Sequence, residues 1–287
     1  MALAQEAPLS LPNGISILLR DLVHERIGMY FDTSRLDTML EKLQEPARAR
    51  NCQSLLDYYY LLKYDHDGAA EWEKVMDALS VQETYFWREF PQVQLLVEVI
   101  VPAWFATHHT TLRIWSAACA TGEEPYTVAL ALQEAGWGNH PIDIVASDAS
   151  VSALDKARQG LFRERSFRSL SPELRARYFT EQDGRWQLDS SIIRRVKFHR
   201  ANIVSRQEIG HLAEAPVVFC RNVFIYFSPE AIRKTLSTFA QFMPSHAYLF
   251  VGASESLIKL TSDFDLEEMN DAFVYVRKPR PEEAPSA

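Results

Sequence analysis

Apolar residues recur at helical spacing from Ile15 to about Asp77, as at Leu36, Met39, Leu40 and Leu43, with no useful stretch of strand-like alternation. This part of the chain therefore predicts a helical domain. Breakers at Pro46, at Asn51 and around Asp65-His66-Asp67-Gly68 divide it into several short helices joined by tight loops.

After Pro102 the rhythm changes to short apolar runs separated by helical stretches. Residues 112–116, 142–146, 216–220 and 248–251 predict buried strands, and residues 123–134 and 229–242 predict helices. Ser228 and Pro229 supply an N-cap and a first helical residue for the second of these. Strands alternating with helices imply βαβ units and a mostly parallel sheet covered on both faces. Residues 179–198 break the alternation, because Asp183-Gly184 sits between β-prone runs and a further run follows at Val196. That segment predicts a small antiparallel excursion, at about 178–200. From Arg277 onward, three prolines and two glutamates leave little to bury, which predicts a disordered tail over 279–287. The domain reading is thus 1–90 helical with a linker, then 91–278.

The 287 residues are 47% hydrophobic and 24% charged, which is globular composition. A net charge of −8 argues against a protein built to neutralise nucleic-acid phosphates. The start, Met-Ala-Leu-Ala-Gln-Glu, has no basic leader, and no apolar run approaches the roughly 18 to 20 residues of a membrane span, so a cytoplasmic protein without membrane insertion is expected. Cys52, Cys119 and Cys220 are far apart and odd in number, giving no metal or disulfide framework.

Chemistry concentrates between Arg113 and Leu132. Residues 116–122 are small and lie between a strand and a helix, where open α/β sheets bind ligands. A phosphate or dinucleotide binder would carry several glycines there, whereas this turn has Gly122 alone, followed at once by Glu123 and Glu124. Two carboxylates repel a phosphate and suit the ammonium and sulfonium of S-adenosylmethionine. On spacing alone, acids in a first helical turn also serve the macrodipole, a reading that fits Glu124 better than Glu123. Asp148 ends the second strand, where an acid can take both hydroxyls of a ribose. In isolation such a residue is more often a turn or cap.

Four segments together carry a family resemblance: Glu83-Thr-Tyr-Phe-Trp-Arg-Glu89, Trp115-Ser-Ala-Ala-Cys-Ala-Thr-Gly-Glu-Glu-Pro-Tyr126, Ala146-Ser-Asp148 with Ala153-Leu-Asp-Lys-Ala-Arg-Gln-Gly160, and Cys220-Arg-Asn-Val-Phe-Ile-Tyr-Phe227. In these, and nearly end to end, the chain resembles the CheR-type chemotaxis receptor methyltransferases. The resemblance implies an all-α N-terminal domain, then an α/β Rossmann-like methyltransferase domain with an inserted antiparallel β-subdomain. It implies methyl transfer from S-adenosylmethionine to glutamate carboxylates on the cytoplasmic helices of methyl-accepting chemoreceptors, leaving S-adenosylhomocysteine. A monomer is expected. Carried over by position, cofactor contacts fall on Gln82, Thr84, Arg88, Glu123, Asp148, Asn202, Ile203, Arg221 and Asn222.

The acceptor glutamate, with an ordinary pKa of about 4.3, is already ionised, so no general base is needed and positioning should supply most of the acceleration. Tyr226 is the candidate to orient the incoming carboxylate, against a packing role for its ring. Arg88 is the candidate to grip a carboxylate, against a surface ion pair with Glu83 or Glu89. The chain departs from the family pattern in three places. Gln82 stands where Asn is common, Trp104 stands where members carry a basic residue, and only Gly184 lies between Thr180 and Trp186. The last implies that receptors are not tethered through a C-terminal pentapeptide. Trp104 motivates an alternative, a non-catalytic S-adenosylmethionine-binding sensor or scaffold. A dehydrogenase is a third reading, opposed by Gly122 and the two acids. Arg20, Arg26, Arg35, Lys42, Arg48, Arg50 and Lys63 could form a basic face toward acidic receptor helices, or simply be solvated.

Overall fold

The computed structural model describes residues 8–12, 14–65 and 68–280. His66, Asp67, Asn13, the N-terminal seven residues and most of the expected tail lie outside them. The chain divides into two compact units, one of residues up to Val81 with Tyr226–Ser228, the other of Gln82–Ile225 with the rest.

The first unit holds α1 (Ile15–Ile27), α2 (Leu36–Ala49), α3 (Leu55–Tyr64) and α4 (Gly68–Leu79). Leu19, Val23, Met39, Leu43, Leu55, Tyr58 and Val75 close its core. Ser54 caps α3 in a reciprocal box with Asp57. Pro46 does not break α2, which continues through it to Ala49. A proline so near the carboxyl end forfeits only one helical hydrogen bond. Asn51, at φ 57°, follows the end of this helix in the left-handed region.

The second unit opens with one apolar helix in three parts: α5 (Phe90–Leu95), a π-helical segment (Leu96–Ile100) and α6 (Val101–Thr107). Pro102 has no N–H for the Glu98 carbonyl, and the widened turn accommodates that loss. Phe90–Thr107 runs 18 residues at mean hydropathy 1.3, so a stretch of membrane-spanning length and composition does exist, contrary to the sequence reading. Its Val93, Leu95, Leu96, Ile100 and Val101 pack into the core of the unit.

Then follow β1 (Leu112–Ala117), α7 (Glu123–Glu134), β2 (Ile142–Asp148), α8 (Val151–Gln159), β3 (Leu161–Phe162), α9 (Pro172–Tyr178), β4 (Phe179–Gln182), β5 (Arg185–Leu188), α10 (Ser190–Ile193) and β6 (Val196–Arg200). The described residues close with α11 (Arg206–Ile209), β7 (Val217–Phe219), α12 (Pro229–Phe242), β8 (Tyr248–Phe250), β9 (Phe264–Met269) and β10 (Ala272–Arg277). Among the described residues, seven strands form the main sheet in the order β6-β2-β1-β7-β8-β10-β9. The first five are parallel, and β10 is antiparallel to both neighbours. The order reverses direction between β1 and β7, so a ligand crevice is expected where these strands end.

The small antiparallel sheet is β3-β5-β4, its hairpin closed by Asp183 and Gly184, both at positive φ. Val196 does not belong to it. β6 pairs in parallel with β2, from Ile144↔Val196 to Asp148↔Arg200, because its partner lies far back in the sequence rather than across a tight turn. The β9–β10 hairpin was not anticipated, although Asn270 and Asp271 at its tip are the residues such a turn requires. Arg277 is not in a tail: it ends β10, only 3% exposed, and donates from Nε and Nη2 to the Ala240 carbonyl of α12. An α/β Rossmann-like unit with an inserted antiparallel β-subdomain, after an all-α one, is the architecture the sequence pattern and resemblance imply.

Candidate functional site

The turn from β1 into α7 is built from strained backbone. Ala118, Ala120 and Gly122 all have positive φ, at 55°, 48° and 94°. For the two alanines this costs about 1–2 kcal/mol each, a cost that clusters at functional sites. Gly122 serves packing: a Cβ there would lie 2.9 Å from the Ala157 Cβ and 3.1 Å from the Tyr126 ring. The half-exposed face of the turn belongs to Ala118 and Ala120. Asp148 holds this turn in shape. Its Oδ2 accepts from the Ala120 N–H at 2.8 Å and its Oδ1 from the Ser150 N–H at 2.8 Å.

The adjacent glutamates differ. Glu124 accepts from the Ser116 hydroxyl at 2.6 Å and pairs with Arg221 Nε at 2.9 Å. Glu123, 3% exposed, accepts from the Thr121 hydroxyl at 2.6 Å and the Ser166 hydroxyl at 2.9 Å, and among the described residues it makes no ion pair. Burial pushes its carboxyl up from the ordinary 4.5, against the pull of these hydroxyls and its own backbone N–H. The Arg165 charge also pulls it down, from beyond ion-pair distance, and a buried acid without a direct ion pair is a place where a cationic ligand gains most. Of the two, Glu123 has the geometry of a ligand group and Glu124 that of an internal ion pair.

Arg221 is 7% exposed, and its guanidinium is held from several sides. Besides Glu124, it donates from Nη2 to the Arg88 carbonyl at 2.7 Å and from Nη1 to Gln92 Oε1 at 3.0 Å. It clamps the linker onto the end of β7. Asn222, at φ 59°, donates from Nδ2 to Glu89 Oε1 at 3.2 Å. Arg88 is flanked by Trp87 and Glu89, both at positive φ. Its Nη1 donates to the Glu83 carbonyl at 3.0 Å. Neither ion pair weighed for it forms: Glu83 pairs with Arg168 at 2.7 Å, and the Glu89 oxygens take Asn222 and the Ala253 N–H. Among the described residues Arg88 makes no ion pair, which leaves its charge for a ligand carboxylate.

At the other side of the turn, Gln82 Nε2 lies 3.5 Å from Ser150 Oγ, and its Oε1 accepts from Lys156 at 2.9 Å. The Ala201 N–H donates to the Asp148 carbonyl at 3.0 Å, so Asn202 and buried Ile203 follow beside the end of β2. Thr84 lies half-buried in the linker loop. The second unit thus gathers Gln82, Asp148, Asn202 and Ile203 around the ends of β2 and β6, and Arg88, Arg221 and Asn222 around the end of β7. Tyr226 is not among them. It belongs to the helical unit, where its carbonyl accepts from the Tyr30 N–H at 2.9 Å and its ring packs against that unit's core.

Trp104 lies in α6 and donates to the Thr110 carbonyl at 3.2 Å, just before β1 begins. This is the amino end of the sheet, opposite the strand ends that form the site, so a basic residue missing there has no bearing on it. In the helical unit, Arg50 stands 3.7 Å from Glu71, a buried acid that also takes the Tyr58 hydroxyl and Lys74. Arg50 is therefore part of the structure of that unit more than of an open basic face. Sequence reasoning missed Ser166, which faces Glu123, and the buried Glu255 beyond β8. The Ser166 hydroxyl approaches from across the fold and left no local signal. Glu255 could have been noticed as an acid close behind a buried strand. No group of three or more His, Cys, Asp or Glu residues that could hold a metal occurs among the described residues.

Residues 17–80 match the family model described as CheR methyltransferase, all-alpha domain, and residues 82–273 match CheR methyltransferase, SAM binding domain. Chemotaxis protein methyltransferase 2 of Vibrio cholerae is 33% identical over 264 residues, covering 90% of this chain and 91% of the relative. Chemotaxis protein methyltransferase 1 of Pseudomonas aeruginosa is 30% identical over 269 residues, covering 91% and 97%. The buried, unpaired Glu123 and the strand-end Asp148 fit S-adenosylmethionine, the cofactor of this domain, and the chain belongs to the CheR family of S-adenosylmethionine-dependent methyltransferases.

Proposed function

We propose that this chain is a protein-glutamate O-methyltransferase acting on the cytoplasmic helices of chemoreceptors. The relatives' names motivate the receptor substrate. The observation that carries the cofactor side is Glu123, a buried carboxylate with two hydroxyl donors and no ion pair at the end of β1. Bound S-adenosylmethionine supplies a methyl group made electrophilic by its sulfonium.

The chain's own residues do the rest by binding and alignment. Glu123 offers its charge to the cofactor's ammonium, and Asp148 offers acceptors to the ribose hydroxyls. Ile203 gives the adenine an apolar wall beside Asn202, while Gln82 and Thr84 border it from the linker. Arg88 presents a guanidinium to a carboxylate, either the cofactor's or the acceptor's. Asn222 shapes the wall beyond β7, and Arg221 holds that wall to the linker. Tyr226, which follows Asn222 by four residues in the chain, is the group assigned to orient the acceptor carboxylate. An ionised acceptor needs no base at neutral pH, so the rate depends on alignment and exclusion of water. The protein acts as a monomer and without pentapeptide tethering.

Incubation with methyl-labelled S-adenosylmethionine and receptor cytoplasmic fragments tests this reading. Base-labile label on glutamates is the expected result, and its absence from every cognate receptor would overturn the reading. Tight binding of a receptor C-terminal pentapeptide would overturn the tether-free mode alone.

A further inference from the structure

One buried acid of the methyltransferase unit takes no part in the chemistry above. Glu255 follows β8 and is 8% exposed. Its Oε2 accepts from the Gly252 N–H at 2.6 Å and the Asn222 N–H at 2.7 Å, and its Oε1 faces the Ile225 N–H at 3.3 Å. A single side chain therefore closes the turn after β8 and spans the turn after β7. These strands are parallel neighbours, paired to Phe219↔Phe250, so their exits lie side by side at the carboxyl edge of the sheet.

Asn222 stands between two carboxylates. Its backbone N–H goes to Glu255, and its side-chain amide goes to Glu89, the residue after Arg88. Glu89 in turn accepts from the Ala253 N–H at 3.1 Å, which returns the chain of contacts to the turn after β8. There is no slack in this arrangement. A Cβ on Gly252 would lie 2.4 Å from Asn222 Nδ2 and 2.8 Å from Glu255 Oε2. Two left-handed residues, Asn222 and Glu89, are thereby held in place by charged acceptors or short contacts.

We propose that Glu255 is a positioning residue of the cofactor site: it fixes the Arg221–Asn222 turn and, through Asn222 and Glu89, the backbone that presents Arg88. This rests on the reading that Arg88 and Asn222 border S-adenosylmethionine. The converging groups are all N–H donors, so the site needs a pure acceptor, which a carboxylate is and an amide is not. Glutamine keeps the shape but turns an NH2 toward at least one donor. Alanine removes every acceptor.

The test is calorimetric titration of the full-length chain with S-adenosylhomocysteine, well below thermal unfolding. The proteins are wild type, Glu255→Gln, Glu255→Ala and Leu236→Val, the last a buried change in α12 that lowers stability away from these turns. Glu255→Gln should bind about fivefold to tenfold more weakly, Glu255→Ala about thirtyfold or more, and Leu236→Val within about twofold of wild type. The shape-matched Glu255→Gln keeps the proposal testable even where alanine prevents folding. Wild-type affinity in folded Glu255→Gln, or an equal loss in Leu236→Val, would overturn the positioning role alone. No binding by wild type would overturn the cofactor reading and the role of Glu255 with it.

Discussion

Two turns leave the main sheet at neighbouring strands, after β1 and after β7, and they solve the same topological problem in opposite ways. The turn after β1 keeps strained alanines on a half-exposed face and a buried Glu123 with no ion pair. The turn after β7 is tied from within: Arg221 pairs with Glu124 and donates to Gln92 and the linker backbone, and Asn222 is held by Glu89 and Glu255. Both turns lie in motifs that the family resemblance marks as cofactor-binding. Physically, the first leaves a buried acid without an ion pair, while the second spends most of its polar groups on holding the walls.

The largest expected effect would break the second turn. Arg221→Ala strands Glu124 without its partner and frees the linker carbonyls, so it should cost about 3–5 kcal/mol of stability in the methyltransferase unit, measured by urea unfolding. A loss of affinity without a loss of stability would mean that Arg221 faces ligand instead. Asp148→Asn sharpens the first turn. It should weaken S-adenosylmethionine binding by about tenfold or more, the scale of a charged hydrogen bond, measured by calorimetry.

Titration separates the turns further. Burial raises the Glu123 carboxyl, so the folded chain holds that proton more tightly than the unfolded chain does. Ligand-free stability should therefore fall as pH rises from about the ordinary 4.5 through the folded value, by at most about 1.4 kcal/mol per pH unit from this group. Binding of the cationic cofactor should strengthen over the same interval. Thermal melts in a pH series check this, and Glu123→Gln should flatten the slope. The smallest effect belongs to Trp104→Arg: restoring a base at the amino end of the sheet should leave cofactor affinity and turnover within about twofold, and a large gain would contradict the placement of that helix.

Much of the fold could be read from local patterns. The four apolar runs became β1, β2, β7 and β8, and Asp183-Gly184 closed a hairpin because a two-residue turn of positive φ is a local signal. What escaped was non-local. The run at Val196 looks like one more antiparallel strand until it finds β2, about fifty residues back. Pro46 looks like a breaker until its place in the last turn of α2 makes it cheap. The site residues were legible as positions and much less so as roles. Nothing in Gly122-Glu123-Glu124 says that Arg221 will reach across to the second acid and Ser166 to the first. Glu255, which touches both exits, lies outside every motif that carried the resemblance.

The two adjacent acids carry the contrast in its simplest form. S-adenosylmethionine should be titrated calorimetrically into wild type, Glu123→Gln and Glu124→Gln, each with its melting temperature recorded. Glu123→Gln should lose about tenfold in affinity with no fall in melting temperature, since it removes a buried charge that the empty protein does not pair. Glu124→Gln should fall in melting temperature, because it strips Arg221 of its counter-charge. Wild-type affinity in Glu123→Gln would contradict the claim that the turn after β1 meets the cofactor through this residue.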